Sequence, residues 1–200
     1  MRGLLCAFAV TIALTLSGCG GDGESGSGDA KDEPSASPAA SYFVKADTDA
    51  INAALVQAQK AGARAQAPKA QAACNKAGDR GYEAWRTCWH NLLNPFEKAL
   101  TDLAAELGRL AERDFPEDCV TSLGGAQAAF TGFAEEVDGL ITGIDSQRRA
   151  AQVRALRLYG PTLGEISKSF AEPFQGVTGV CYSPKDLASI TASPRPSPSS

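Results

Sequence analysis

The side chains of this sequence that could do acid–base chemistry are few, and the only histidine is His90. It lies seven residues from both Glu83 and Glu97, and a histidine paired with a carboxylate can act as a general acid or base. Asn94-Pro95 separates His90 from Glu97, however, and no serine stands in a nucleophile-elbow sequence. A single His and a single Met supply too few ligands for a histidine zinc site or a methionine-rich copper site. We therefore predict no enzyme, no metal and no cofactor.

Two tryptophans form a second candidate site. Trp85 and Trp89 are four residues apart, and Tyr82 lies three residues before Trp85, so the three side chains share one face of a helix. Aromatic faces of this kind can stack on sugar rings or on choline-like cations. The same spacing is also typical of a helix that packs into a core. Both interpretations stay open: a core position, or a ligand-binding site at Trp85 and Trp89.

The beginning of the chain has the pattern of an export signal. Arg2 precedes an uncharged run from Leu4 to Leu16. This run is shorter than the roughly 20 residues of a membrane-spanning helix and fits the apolar core of a signal peptide. It ends in Leu16-Ser17-Gly18-Cys19, which closely resembles the lipobox of bacterial lipoproteins.

The resemblance covers these residues and the acidic, Gly/Ser-rich segment that follows them. It implies that residues 1–18 are removed as a signal peptide and that the thiol of Cys19 carries a diacylglyceryl group with acyl chains such as palmitate. One acyl chain gives only marginal membrane binding, whereas two chains anchor a protein stably. The resemblance therefore implies a lipid-anchored protein on the extracytoplasmic face of a bacterial cell membrane.

Composition divides the remaining chain into a linker, a domain and a tail. Residues 19–41 contain five acidic residues and one lysine among Gly, Ser, Ala and Pro, which predicts a flexible, disordered linker. Residues 191–200 are rich in Pro and Ser and predict a disordered tail. Residues 42–190 remain as one folded domain. The whole chain of 200 residues has a net charge of −4, which argues against a nucleic-acid partner.

The pattern of the domain predicts an all-α fold, because apolar residues recur every three or four positions and no stretch alternates with period two. The clearest such run lies on the helix that precedes the last long helix. It comprises Leu123, Ala126, Phe130, Phe133, Val137, Leu140 and Ile144. Short loops between long amphipathic helices favour antiparallel neighbours. We therefore predict a four- or five-helix antiparallel bundle.

Several boundaries follow from capping residues and helix breakers. Asp47 or Thr48 is predicted to cap a first helix that stops at Gly62, and Asp79 to cap the helix that carries the tryptophans. Asn94-Pro95 is predicted to interrupt that helix. Gly160-Pro161 is predicted to kink or break the last long helix. That helix is expected to start at Asp145 or Ser146, to end at Glu172-Pro173, and to bury Val153, Leu156, Leu163 and Phe170.

Four cysteines fall within the domain: Cys74, Cys88, Cys119 and Cys181. An even number outside the cytoplasm predicts two disulfides, and no Cys-x-x-Cys motif points to metal or redox chemistry. Cys119 lies in the first turn of a long helix, and Cys181 follows the end of the next helix, which returns antiparallel. We therefore predict the pairs Cys119–Cys181 and Cys74–Cys88.

A basic cluster marks the beginning of the last long helix. It comprises Arg148, Arg149, Arg154 and Arg157. Such a cluster could approach anionic lipid headgroups or an acidic partner. Alternatively, the helical hairpin brings it close enough for neutralisation by three acidic residues of the preceding helix, Glu135, Glu136 and Asp138.

These features together predict a membrane-anchored lipoprotein whose helical domain is a non-catalytic binding module for an envelope protein or polymer. The alternative is a lipoprotein that binds a small ligand near Trp85 and Trp89. The two hypotheses differ in the surface they require: a protein partner needs an exposed apolar patch, and a small ligand needs a pocket bounded by the tryptophans.

Overall fold

The computed structural model describes residues 43–182; the signal segment, Cys19, the linker and the tail lie outside the described residues. This range forms six α-helices and a 3₁₀ turn at Gly78–Arg80, without a β-strand. The α-helices are α1 (Lys45–Gln66), α2 (Pro68–Ala77), α3 (Tyr82–Ala111), α4 (Glu117–Asp145), α5 (Arg149–Ser169) and α6 (Glu172–Cys181). The predicted all-α class is confirmed.

The helices form four long segments that run alternately up and down. The first segment is α1 followed by α2, and the fourth is α5 followed by α6; α3 and α4 lie between them. The most extensive contact is between α3 and α4, while α1 and α2 pack on α3, and α5 and α6 pack on α4. This arrangement is the antiparallel bundle that the sequence predicted.

The bundle has two ends with different components. At one end, which we call the base, the start of α1 meets the end of α3, and the start of α4 meets the end of α6. At the other end, which we call the far pole, the start of α3 meets the end of α4 beside the 3₁₀ turn and the start of α5. Because α3 has 30 residues, it spans about 45 Å between these ends.

Both predicted disulfides are present. Cys74–Cys88 joins α2 to α3, and Cys119–Cys181 joins the first turn of α4 to the last residue of α6, with Cα–Cα distances of 5.2 and 5.1 Å. The second pair is 62 residues apart in sequence. In the loop-closure account, a cross-link over such a distance disfavours the unfolded chain by about 4 kcal/mol.

Two prolines that were expected to break helices lie inside continuous helices. Pro95 lies within α3 and Pro161 within α5, so the predicted interruption at Asn94-Pro95 and the predicted break at Gly160-Pro161 are wrong. Each proline lacks the N–H that would bond to the carbonyl four residues earlier. The prolines and the residues four positions before them are all exposed, so water can bind these carbonyls.

Other boundaries differ in detail. The first helix continues past Gly62 to Gln66, and the helix with the tryptophans begins at Tyr82 after the N-cap Gly81, not after Asp79. The last long helix ends before Glu172-Pro173 as predicted, but the short α6 then follows.

The helix α5 begins at Arg149, three or four residues later than expected. Of the residues predicted on its inner face, Leu163 is buried, Leu156 and Phe170 are partly buried against the core, and Val153 is exposed. The other buried residues of α5 are Ala155, Tyr159 and Ile166.

Close packing along the α4–α5 hairpin depends on a glycine. A Cβ atom at Gly143 would lie 2.7 Å from the Cβ of Ala155 on α5, which is closer than two carbon atoms can approach. The absence of a side chain at Gly143 therefore lets the two helix backbones pack closely. This contact also fixes the register of the hairpin, because it places residue 143 beside residue 155.

Within residues 43–182, the one charged or polar residue in the buried class is Asp47 in the first turn of α1, which is 2% exposed. Its Oδ2 accepts a hydrogen bond from the Val44 N–H at 3.2 Å and lies 2.6 Å from Nη1 of Arg113. Its Oδ1 lies 3.5 Å from Nη2 of Arg109. Asp47 is thus not the N-cap that the sequence suggested. It is the third helical residue and reaches back to the N-cap backbone, as in half of a capping box.

The arginines around Asp47 belong to a wider polar cluster at the base. Arg109 also hydrogen-bonds Glu106, and this bond lowers the pKa of Glu106 below its ordinary value of 4.5 and raises the pKa of Arg109. The guanidinium of Arg113 lies over the ring of Phe115, 5.9 Å from its centroid. The cluster therefore joins the start of α1 to the end of α3 through both ionic and aromatic contacts.

Aromatic rings join the two ends of the described range. Phe43 packs against Tyr182 with ring centroids 4.8 Å apart and against Phe115 with centroids 5.6 Å apart. The first and the last described residues therefore lie at the same end of the bundle, which is the base.

We expect Arg113→Met to destabilise the domain by about 3 kcal/mol, because it removes the shortest ionic partner of a buried carboxylate. The matched control is Lys98→Met, which removes an exposed Lys98–Asp102 ion pair of 2.7 Å and should cost less than about 1 kcal/mol. Urea unfolding followed by circular dichroism measures both values. Equal losses in the two variants would show that Asp47 does not depend on Arg113.

Candidate functional site

The structure separates the two tryptophans. Trp89 is 2% exposed and packs edge to face on Tyr159 of α5, with ring centroids 4.9 Å apart. Trp85 is half-buried and lines an open concavity at the far pole. Trp89 thus occupies the core position that its spacing allowed, and Trp85 is the tryptophan that a ligand can reach.

Tyr159 positions Trp89 within the core. Its hydroxyl donates a hydrogen bond of 2.6 Å to the carbonyl of Ala65 near the end of α1, where a helical carbonyl lacks an intrahelical donor. Burial raises the pKa of Tyr159, so the hydroxyl stays protonated and remains a donor. Trp89 Nε1 has no hydrogen-bond partner in the described part of the chain, and Trp89 therefore contributes through apolar packing.

The far-pole concavity has a volume of about 500 Å³. Its wall is built from the 3₁₀ turn, the first turn of α3 and the first turn of α5. The lining residues are Gly78, Gly81, Tyr82, Trp85, Arg149 and Gln152. Three separate stretches of sequence therefore contribute to it, and the two helices that do so each present their N-terminal end.

Tyr82 and Trp85 form the aromatic part of this wall. Their rings are stacked, with centroids 5.9 Å apart and an interplanar angle of 30°, and Tyr82 is 38% exposed. The Tyr82 hydroxyl shares its one proton between the carbonyls of Ile144 at 3.1 Å and Asp145 at 3.3 Å in a bifurcated hydrogen bond. These carbonyls end α4 and lack helical donors, so Tyr82 caps α4 while its ring is held in place beside Trp85.

Gly81 shapes the backbone next to these rings. Its φ is +108°, a conformation that side-chain-bearing residues rarely adopt. A Cβ at this position would meet nothing within 4 Å, so the space beside Gly81 is open. The chain can therefore turn sharply from the 3₁₀ turn into α3 and leave the concavity accessible.

The concavity is electrostatically positive. Arg149 is its one charged lining residue, and in residues 43–182 no carboxylate lies within the 4 Å ion-pair distance of its guanidinium. The nearby carboxylate of Asp145 is already bound by His90 and Arg86. Neither α3 nor α5 has a side-chain cap at its N-terminus, and α5 has no acidic residue in its first turn. The first turn of α3 carries the acidic Glu83, so it is the partial positive charge at the start of α5 that adds to the charge of Arg149.

Gln152 contributes a planar polar group to the same wall. Its Nε2 donates a hydrogen bond of 2.7 Å to the carbonyl of Ser146. The bond holds the amide across the turn that joins α4 to α5. No donor within the described range binds the amide oxygen of Gln152, which leaves it able to accept a hydrogen bond from a ligand.

His90 has a carboxylate partner that the sequence did not indicate. Its Nε2 lies 2.7 Å from Oδ1 of Asp145, 55 residues away in sequence, whereas Glu83 bonds to Arg86 and Glu97 accepts from Thr101. His90 does not line the concavity. The pair joins α3 to the end of α4 and thereby helps to hold the far pole together.

The expected neutralisation of the basic cluster is wrong. Among the described residues, no ion pair joins the four arginines of α5 and the preceding turn to Glu135, Glu136 or Asp138. The Gly143–Ala155 contact places residue 138 beside residue 160, beyond the arginines. Glu135 and Asp138 instead line a groove of about 410 Å³ between α3 and α4. Arg148, Arg149, Arg154 and Arg157 are all exposed.

Across residues 43–182, no group of three or more His, Cys, Asp and Glu residues is arranged to hold a metal ion. No helix in this range has the length and apolar character needed to cross a bilayer.

Comparisons with models of protein families, with curated proteins and with solved structures found no match to this chain.

The different positions of the two tryptophans lead to a prediction about stability and accessibility. Trp89→Ala should destabilise the domain by about 3–5 kcal/mol, because it leaves a cavity in the core, whereas Trp85→Ala should cost about 1 kcal/mol. Urea unfolding measures both losses.

Fluorescence supplies an independent check on the same prediction with the milder substitutions Trp85→Phe and Trp89→Phe. Acrylamide should quench the emission of Trp85 in the Trp89→Phe variant more strongly than that of Trp89 in the Trp85→Phe variant. Equal quenching of the two single-tryptophan proteins would contradict the assignment of Trp85 to the surface and Trp89 to the core.

Proposed function

We propose that this protein is a membrane-anchored extracytoplasmic lipoprotein whose helical domain is a non-catalytic binding module for an envelope protein or polymer. The anchor is the lipid on Cys19 that the Leu16-Ser17-Gly18-Cys19 pattern implies. The binding surface is the far pole of the bundle. The observation that carries this proposal is the half-exposed Tyr82–Trp85 pair beside Arg149, for which residues 43–182 supply no carboxylate partner.

The path of the chain supports this orientation. Phe43 contacts Tyr182 at the base, so the linker joins the domain at the end opposite the concavity. A flexible linker of this length has a root-mean-square reach of roughly 25 Å, and α3 adds about 45 Å between base and far pole. In a protein anchored at Cys19, the base therefore lies on average nearer the membrane than the concavity does.

The composition of the far pole supports a binding role. Aromatic residues and arginine are enriched at binding surfaces, because they combine large contact areas with fixed polar geometry. Tyr82 is held by a bifurcated hydrogen bond, so it loses little conformational freedom when a partner binds. His90 is bound to Asp145 outside the concavity, and we propose a structural role for it.

A second candidate function is the binding of a small ligand at the same place. The observation that favours it is the volume of the concavity, about 500 Å³, which lies in the range of small-molecule sites. Trp85 would supply one wall, whereas Trp89 is buried in the core and is not part of the contact surface.

Site-specific cross-linking tests the proposed surface. A photoreactive residue replaces Arg80, which is exposed in the turn at the far pole, or Gln59, which is exposed on α1. In cells that express the protein at its normal level, the residue at position 80 should give a discrete cross-linked product, identified by mass spectrometry, and the residue at position 59 should not.

The control for anchoring is Cys19→Ala. We expect this variant to lose palmitate labelling, to leave the membrane fraction and to lose the product formed at position 80. A product from position 59 alone would contradict the far pole as the binding surface. Retention of Cys19→Ala in the membrane with its label intact would contradict the proposed anchor.

A further inference from the structure

We propose that the far-pole concavity binds an anionic glycan, with a sugar ring stacked on the Tyr82–Trp85 pair and its acidic group held by Arg149. The inference rests on the function proposed above and names the class of ligand for that surface. The acidic group is a carboxylate or a phosphate, because both present oxygen atoms that match the planar donors of a guanidinium.

The aromatic pair supplies the surface for the sugar ring. A pyranose ring has an apolar face of C–H groups, which packs on the face of an aromatic ring, while its hydroxyls remain available for hydrogen bonds. Tyr82 and Trp85 are stacked on one another at an interplanar angle of 30° and are both partly exposed, so a sugar ring can extend the stack on the outer face of the pair. The amide oxygen of Gln152 lies in the same wall and can accept a hydrogen bond from a sugar hydroxyl.

The charge of the concavity selects an anion and disfavours the choline-like cation that an aromatic surface could otherwise bind. Arg149 has no ionic partner in residues 43–182, so no existing ion pair has to be broken when a ligand binds to it. The N-terminus of α5, which has no acidic residue in its first turn, faces the same region and disfavours a second positive charge.

The surroundings of the concavity favour a glycan over a protein partner. Stable protein interfaces bury about 800 Å² on each side and have an apolar centre. The large apolar residues that are exposed elsewhere in the described range are scattered along α1, α5 and α6 or precede α1; these are Val44, Val56, Val153, Leu158 and Val180. The aromatic pair is therefore not the centre of a wide apolar patch. Because the concavity is open, a polymer chain can enter and leave it on either side of a bound ring.

The test uses residues 20–200, which lack the lipid-bearing Cys19. The ligands are glycans released from the envelopes of the cells that produce the protein. These glycans are first separated into a neutral pool and an acidic pool. The readout is the indole N–H signal of each tryptophan in a ¹⁵N-correlated NMR spectrum, assigned with Trp85→Phe and Trp89→Phe. We expect the acidic pool to shift the Trp85 signal and to leave the signal of the buried Trp89 nearly unchanged. The neutral pool should bind at least about tenfold more weakly.

Two variants that each remove one arginine, and therefore one positive charge, test the role of Arg149. Both side chains are exposed on α5, but Arg154 does not line the concavity. Arg149→Ala should weaken binding of the acidic pool about tenfold, and Arg154→Ala should change it less than about twofold. Similar effects of the two variants would overturn the assignment of Arg149, because they would show a general response to net charge.

The chemical nature of the acidic group is resolved by treating the acidic pool before titration. Carbodiimide-coupled reduction converts sugar carboxylates to alcohols, and hydrofluoric acid removes phosphate esters. Loss of binding after one treatment identifies the group concerned. Binding that survives both treatments would overturn the proposal.

The glycan titration and the cross-linking at position 80 together distinguish failure of the glycan inference from failure of the proposed function. If neither glycan pool shifts the Trp85 signal while position 80 still cross-links to a protein, the glycan inference is wrong and the far pole remains the binding surface. If position 80 also gives no product, both proposals fail.

Discussion

The buried carboxylate of Asp47 is the interaction on which the geometry of the domain depends. A carboxylate removed from water requires charged and hydrogen-bonding partners, and these partners are Arg113 and Arg109 at the end of α3 together with the backbone of Val44. The requirement fixes α1 against α3 at the base. The Cys119–Cys181 disulfide fixes the other half of the bundle at the same end.

Because the base holds both ends of the described chain, the far pole is left as a surface made of turns and first helical turns. Such a surface has backbone N–H groups without helical acceptors, and at this pole they coincide with Arg149, which has no ionic partner within the described part of the chain. The carbonyls at the end of α4 are capped by Tyr82, so the negative end of α4 is satisfied internally. The same hydrogen bond orients the tyrosine ring beside Trp85. Tyr82 thus both stabilises the end of α4 and contributes to the proposed binding of a sugar ring.

The sequence predicted those features that have a local or topological signal. The three-and-four spacing of α4 predicted its buried face, and the up-and-down topology predicted that Cys119 and Cys181 would meet. The polar contacts between distant elements were missed: Asp47 and Arg113 are 66 residues apart, and His90 and Asp145 are 55 apart. No periodic pattern marks such a pair, since each partner alone is typical of an exposed helical residue.

The prolines show a different limit of sequence reasoning. Local preference assigned Pro95 and Pro161 to helix boundaries, because proline removes a helical hydrogen bond. Both lie on solvent-facing sides of their helices, where the loss is offset by water and by the apolar contacts on the opposite side. The separation of Trp85 from Trp89 has a related cause: residues four apart share a helical face, but Trp89 faces Tyr159 of α5, whereas Trp85 lies nearer the end of the bundle.

The central claim of the proposed function is that the membrane tether joins the domain at the base, so that the base lies on average nearer the membrane than the far pole does. Energy transfer from a dye on the anchored, full-length protein to acceptor lipids in a supported vesicle membrane tests this claim directly. The dye is attached through an unnatural amino acid, which avoids the cysteines, at position 44 at the base or at position 80 at the far pole. The account predicts efficient transfer from position 44 and weak transfer from position 80. Equal transfer from both positions, or stronger transfer from position 80, would contradict it.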